Sequence, residues 1–538
     1  MTSPASSPGA VSLSLVSHTN AGKTTLARTL LGRDVGTVRD APHVTEFADV
    51  FTLQEAEGGA RLLLWDTPGF GDSLRLVKRL RASATPLGWF MSQVWDRFRD
   101  RPFWSSQQAM KNVRDEADVM LYLVNAAESP ESAGYVEPEM ELLGWLGKPV
   151  VVLLNQLGAP RAGDAEGAEV DDSEVQRWRR HLAGHAHVKA VLPLDAFARC
   201  WVQEFTLLEA IEAVLEGEPR ALMARLRAAW QQRRWQTFDL SVGSVAASLA
   251  RLASDAEAVP DPGGFKARLR QAGSAIGIGD AQQTPAALAQ KALGERLDAE
   301  VRANTLELIG LHGLEGRAQG EILTRLAAHF DTRLAVDEVN AGLWGGVLSG
   351  ALVGLKADIL SGGLTLGGGM LAGGLIGALG GAGLARAVNL ARGNDHSWVS
   401  WNADALGPML EAALLRYLAV AHFGRGRGEW AQGESPPHWL AVIQRAVEPH
   451  HTALAALWDA REPGAEGGAT ADATRRVAAA LEPIVAQVLR AALRALYPKA
   501  ARVDPVTGVA LTPASADPVA HGAMPLRESA QSSGAPPQ

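Results

Sequence analysis

The segment Ser17-His18-Thr19-Asn20-Ala21-Gly22-Lys23-Thr24 constrains this chain more than any other. It follows an apolar run, Val11–Ser17, and opens a helical stretch, Lys23–Leu31. A strand that turns through such a loop into a helix aims backbone N–H groups and the positive end of the helix dipole at one point, where phosphates are held. Lys23 is placed to reach β- and γ-phosphates and the Thr24 hydroxyl to bind Mg²⁺, with Asn20, Ala21, Gly22 and Thr25 completing the loop. Ser17 stands where the usual pattern has its first glycine, so a second signal is needed. Leu62-Leu63-Leu64-Trp65-Asp66 reads as a buried strand, and Asp66-Thr67-Pro68-Gly69 ends it. A carboxylate there holds Mg²⁺ through water, and the Gly69 N–H meets the γ-phosphate. Both motifs fall at the C-terminal ends of strands, where ligands bind α/β sheets.

The surrounding pattern agrees. Short apolar runs at Val11–Ser17, Val44–Leu53, Arg61–Asp66, Asp118–Asn125, Pro149–Asn155 and Val188–Leu194 alternate with helical stretches. Near-continuous Val and Leu runs belong to strands covered on both faces, so residues 11–200 are expected to form an α/β domain with a mostly parallel sheet. Its insert, 72–114, carries Trp89, Trp95, Trp104 and nine basic against three acidic residues. After Trp201 helical spacing takes over, at Glu204–Leu215, Pro219–Phe238, Ala286–Phe330, Ala403–His422, His438–Asp459 and Ala471–Leu496. An all-helical domain over 201–500 is expected, between disordered ends at 1–10 and 501–538.

Asn20-Ala21-Gly22-Lys23-Thr24 and Asp66-Thr67-Pro68-Gly69 resemble the Era/TrmE-type branch of the TRAFAC GTPases, over about residues 11–200. The closest resemblance is to a bacterial group with an uncharacterised helical C-terminal region. It implies GTP and GDP as ligands, hydrolysis of GTP, and Mg²⁺ as cofactor. Arg39-Asp40-Ala41-Pro42-His43-Val44-Thr45 is similar to the first switch, which makes Thr45 the second Mg²⁺ ligand beside Thr24 and Asp66. Asn20 matches the position of an Asn that helps ligate K⁺ in potassium-stimulated members. Phe70 stands where Ras-like proteins carry a water-orienting Gln, which implies slow intrinsic turnover.

One motif departs from the resemblance. Asn155-Gln156-Leu157-Gly158 replaces the expected Asn-Lys-x-Asp, so Gly158 offers no carboxylate to the guanine edge. Losing that charge-assisted pair costs about 1.5–3 kcal/mol of base discrimination. Asp195-Ala196 stands where the family's backbone contact to guanine lies. ATP use with relaxed base specificity therefore stays open beside GTP, as does a nucleotide-gated scaffold that hardly hydrolyses.

Gly342, Gly346, Gly350 and Gly354 recur at four-residue spacing, as do Gly369, Gly373, Gly377 and Gly381. On helices these make smooth stripes that another helix can approach closely. Each exposed helical Gly costs about 1 kcal/mol against Ala, so the stripes need a partner surface. A glycine-zipper hairpin is expected over 341–385, either engaging a membrane surface or buried in the helical domain.

Composition sets the remaining bounds. With 47% hydrophobic and 20% charged residues, the 538-residue chain is globular. Its net charge of −8 gives no global indication of nucleic-acid binding. The single cysteine, Cys200, excludes an internal disulfide and a Cys-based zinc site. The N-terminus lacks the pattern of a secretion signal, so a cytoplasmic site is expected, peripheral at the inner membrane face if the hairpin meets lipid. A protein partner is expected without its identity being readable.

Overall fold

The computed structural model describes residues 9–32, 48–82, 88, 92, 100–156, 169–194, 200–259, 285–314, 388–392, 397–422, 438–461 and 471–497. The first switch with Thr45, Gly158, Asp195, Ala196, the zipper at 341–385 and the tail at 501–538 lie outside them.

The N-terminal part alternates strands and helices: β1 Ala10–Ser17, α1 Lys23–Leu31, β2 Asp49–Ala56, β3 Ala60–Asp66, α2 Ser73–Leu80, α3 Arg101–Glu116 and β4 Val119–Asn125. It continues with α4 Val136–Leu146, β5 Val150–Asn155, α5 Glu169–Leu182 and β6 Val188–Pro193. The six strands run in the order β2-β3-β1-β4-β5-β6. All pairs are parallel except β2–β3, a hairpin closed by Gly58 and Gly59 with φ of 81° and 77°. Two successive positive φ values match the right-handed twist of a hairpin and suit glycine.

Alternation along the strands splits the apolar residues between two faces. Leu13, Leu15, Leu62, Leu64, Leu121 and Leu153 face α1, while Val16, Met120, Tyr122, Val152 and Leu154 face α2, α3, α4 and α5. The insert thus contributes α2 and α3 to the covering of the second face, with Trp104 buried.

The C-terminal region is helical: α6 Trp201–Val214, α7 Gly217–Ala253, α8 Pro285–Leu311, α9 Ala403–Ala421, α10 His438–Val447, α11 His451–Ala460 and α12 Ala471–Leu496. Two features correct the sequence reading. Helix α7 runs 37 residues, about 55 Å, without stopping near Phe238. The stretch beyond it, Ser241-Val242-Gly243-Ser244, stays helical with Ser241 and Ser244 buried and bonded, to Thr237 O and Glu307. The region is also not purely helical. Strands β7 Ala256–Val259, β8 Val388–Arg392 and β9 Ser397–Trp401 form an antiparallel sheet ordered β7-β9-β8.

The first face of the large sheet and the helical region share one core. Phe205 and Ile211 of α6, Leu226 and Val245 of α7, Leu414 of α9 and Val485 of α12 join the cluster that contains Leu13 and Leu121. Arg234 of α7 clasps the buried Glu204 of α6 through two hydrogen bonds of 2.9 Å, and the Trp230 indole donates to the same carboxylate at 2.5 Å. Arg233 reaches the other way, to the Gln54 side chain on the edge strand β2.

Candidate nucleotide site

The loop between β1 and α1 closes around its own backbone. Asn20 and Gly22 have φ of 65° and 94°, left-handed values that Asn tolerates and Gly adopts freely. No side chain caps the first turn of α1, so its N–H groups face the loop. Lys23 is buried, and its Nζ donates to Ser17 Oγ at 2.9 Å. Burial holds its pKa below the usual lysine value, against the pull of Asp66 and Glu139. A desolvated cation in a cradle of N–H groups is arranged to receive an anion.

Thr24 and Asp66, 42 residues apart, are joined here. The Thr24 hydroxyl donates to Asp66 Oδ2 at 2.6 Å. Asp66 Oδ1 is buried with no hydrogen-bond partner, and burial pushes the carboxyl up to about 6. An orphaned carboxylate oxygen beside a threonine hydroxyl, both hard oxygen donors, fits Mg²⁺.

The Asp66–Gly69 turn lies against the loop. Phe70 N donates to Ser17 O at 2.8 Å, and Thr19 N donates to Phe70 O at 3.1 Å, so a bridge between His18 and Phe70 extends the sheet past the strand ends. A Cβ at Gly69 would lie 3.0 Å from Thr19 Cα and 3.1 Å from Lys23 Nζ, so only glycine leaves that space clear. Phe70 is fully buried in the second core, away from the cradle.

Asn155 ends β5 and is fully buried. Its side-chain amide donates to Ala21 O at 3.0 Å, and a Cβ on Gly22 would meet the same nitrogen at 2.8 Å. Gln156 follows with φ of 59°. Ala21 and Thr25 are buried beside the loop. The structure therefore brings together Asn20, Ala21, Gly22, Lys23, Thr24, Thr25, Asp66, Gly69, Asn155 and Gln156 at one edge of the sheet. Among the described residues no group of three or more His, Cys, Asp or Glu side chains is arranged to hold a metal.

A further carboxylate escaped the sequence reading. Glu139 of α4 is fully buried and contacts both His18 of the loop and Ser73 of α2. The signal was present: Val136, Met140 and Leu143 mark an apolar stripe on α4, and Glu139 falls within it. His18 also stacks on Tyr135, with ring centroids 4.4 Å apart.

Residues 12–156 match the model of the 50S ribosome-binding GTPase family. Residues 333–483 match a domain of unknown function, DUF3482. The structure of Era with MgGDPNP and a segment of 16S ribosomal RNA is similar over 55% of this chain and 89% of its own, at 18% identity and a TM-score of 0.29. Aquifex aeolicus Era bound to GDP·AlF4⁻ covers the same shares at 19% identity and a TM-score of 0.29. A probable GTP-binding protein, engB, is similar over 38% of this chain and 98% of its own, at 16% identity and a TM-score of 0.23. No curated protein matches the sequence.

Proposed function

We propose that this chain, an Era-like P-loop GTPase domain joined to a helical region, binds guanine nucleotides with Mg²⁺ and hydrolyses GTP slowly, and that nucleotide state is passed to the helical region. The observation that carries the reading is the Thr24–Asp66 pair, 2.6 Å apart, beside a buried Lys23 at the start of a helix whose first turn has no side-chain cap. The loop and the first turn of α1 would bind the phosphates, and Lys23 would exchange Ser17 Oγ for phosphate oxygens. Thr24 and Asp66 would hold Mg²⁺, with Thr45 as the further ligand. Bound Mg²⁺ supplies neutralisation of the phosphate charge. Asn155, Gln156, Asp195 and Ala196 would line the base.

Slow turnover is favoured by the burial of Phe70. The side chain that follows Gly69 lies in the core and is apolar, so it does not orient water. Positioning of charge and water then falls on backbone N–H groups, on K⁺ beside Asn20, or on a partner. The same feature supports the second reading, a nucleotide-gated scaffold with little hydrolysis. Coupling to the helical region is supported by Arg233, which ties α7 to β2, and by the shared core.

Membrane contact through 341–385 belongs to this proposal too, with a cytoplasmic location at the inner face. Among the described residues no helix is long and apolar enough to cross a membrane.

Nucleotide binding and single-turnover phosphate release test the reading. Lys23→Ala is expected to abolish tight triphosphate binding, because N–H groups alone do not balance the γ-phosphate charge. Equal GTP and ATP affinity in parent and variant would remove the phosphate-loop assignment. Liposome flotation in the apo, GDP and GTP-analogue states tests the hairpin, and no flotation in any state rejects the membrane part.

A further inference from the structure

The phosphate loop and the helix that follows the Asp66–Gly69 turn meet on a single buried side chain. Glu139 Oε1 accepts from His18 Nδ1 and from Ser73 Oγ, each at 2.7 Å, and Oε2 accepts from the Tyr122 hydroxyl at 2.7 Å. Ser73 is the first residue of α2, and Tyr122 stands on β4 beneath the loop. Burial and the nearby carboxylate push the Tyr122 phenol well above its usual pKa, so it remains a donor. Glu139 is fully enclosed, and three donors are what a buried carboxylate requires. Thr24 and Thr19 also cross the cradle, to Asp66 Oδ2 and the Phe70 carbonyl, both of which stop short of α2.

We propose that Glu139 is a positioning residue that fixes α2 to the phosphate loop, so that filling the cradle is felt at Ser73 and the second switch moves with the loop. This inference rests on the nucleotide reading above. His18 belongs to the loop that would receive the phosphates, and its ring is held by Glu139 on one side and by Tyr135 stacking on the other. Among the described residues the polar link from that ring to α2 runs through Oε1. The backbone bridge at Phe70 fixes the turn itself and Asp72 caps α2 by accepting from Arg75 N, whereas Ser73 ties the first turn of the helix to Glu139.

Glu139→Gln keeps the shape and removes the charge and one acceptor. Hydrogen–deuterium exchange of residues 73–81 is measured in parent and variant, with and without GDP, alongside GDP affinity and single-turnover GTP hydrolysis. In the parent, GDP is expected to slow exchange in α2. In Glu139→Gln that protection is expected to disappear while GDP affinity stays within about threefold and hydrolysis falls by about tenfold or more. A side chain that merely supported the fold would lower thermal stability and affinity together and leave the α2 response intact. His18→Ala, at a partly exposed position, tests the link from the other end if Glu139→Gln folds poorly. The double variant is expected to be no slower than the worse single one, because both cut the same link. GDP protection of α2 that is unchanged in either variant, or additive losses in the double variant, would overturn the proposal. A parent protein that binds no nucleotide would instead overturn the function reading, and this inference with it.

Discussion

The side-chain amide of Asn155 donates to the carbonyl of Ala21 at 3.0 Å, directly beneath Gly22. It links the end of β5 to the phosphate loop, so this Asn supports the cradle. Asn155→Ala is expected to leave the Ala21 carbonyl without this partner, at a cost of about 1–3 kcal/mol. Triphosphate affinity should fall for GTP and ATP alike, with the ratio between them unchanged. A lost GTP/ATP ratio at constant ATP affinity would place Asn155 on the base alone. Gly22→Ala should be worse than Asn155→Ala in thermal unfolding, since a Cβ meets the amide at 2.8 Å and φ is +94°.

Phe70 stands where Ras-like proteins carry a water-orienting Gln, yet it is fully buried. Phe70→Gln should therefore destabilise the fold by about 2–5 kcal/mol, through an unfilled core site and a buried amide. It should not accelerate hydrolysis. Faster phosphate release with an unchanged melting temperature would mean that residue 70 reaches the cradle.

Gly158→Asp should sharpen the preference for GTP over ATP by roughly ten- to a hundredfold if Asn155–Gly158 lines the base, since it restores a charge-assisted pair. Competition binding measures this. The same ratio before and after the change would separate this loop from base recognition.

Potassium should accelerate hydrolysis relative to sodium if Asn20, held at φ of 65°, helps place a monovalent cation against the phosphates. Asn20→Ala should erase the difference. Equal rates in both salts for the parent would leave Asn20 as a plain loop residue.

Two histidines in the helical core make stability pH-dependent. Burial holds His312 down to about 3 and His422 to about 4, so both fold in the neutral form. Their contribution is fully present above about pH 6.5, where the unfolded imidazole is also neutral. It is lost as pH falls from there toward 4, because only the unfolded chain takes up the protons. His312→Gln removes one of them, so its stability relative to the parent should improve by about 1.4 kcal/mol per pH unit over that window. Urea unfolding at pH 7, 6 and 5 checks this. A parent–variant difference that does not change with pH would show His312 protonating in the folded state.

The amino-acid sequence by itself was enough for the elements whose signals are local. The strands β4 and β5 are buried on both faces, so nearly every residue along them is apolar and the run is visible without its partners, and β1 and β3 carry Val and Leu runs beside them. The phosphate loop and the Asp66–Gly69 turn each occupy one short stretch and carry their chemistry in residue order. What only the tertiary structure decided depends on contacts between distant segments. The continuation of α7 past Phe238 rests on Ser244 meeting Glu307, 63 residues away. Strand β7 is four residues long and exists because β9 pairs with it. Glu139 read as one acidic residue among several on α4, and the three donors that surround it come from three other elements. The bond from Asn155 to the Ala21 carbonyl spans 134 residues, and Phe70 is drawn inward by a core that neighbouring residues do not encode. A local pattern specifies which backbone conformation is cheap. Which side chain is buried, and what then satisfies it, is settled only when the chain closes on itself.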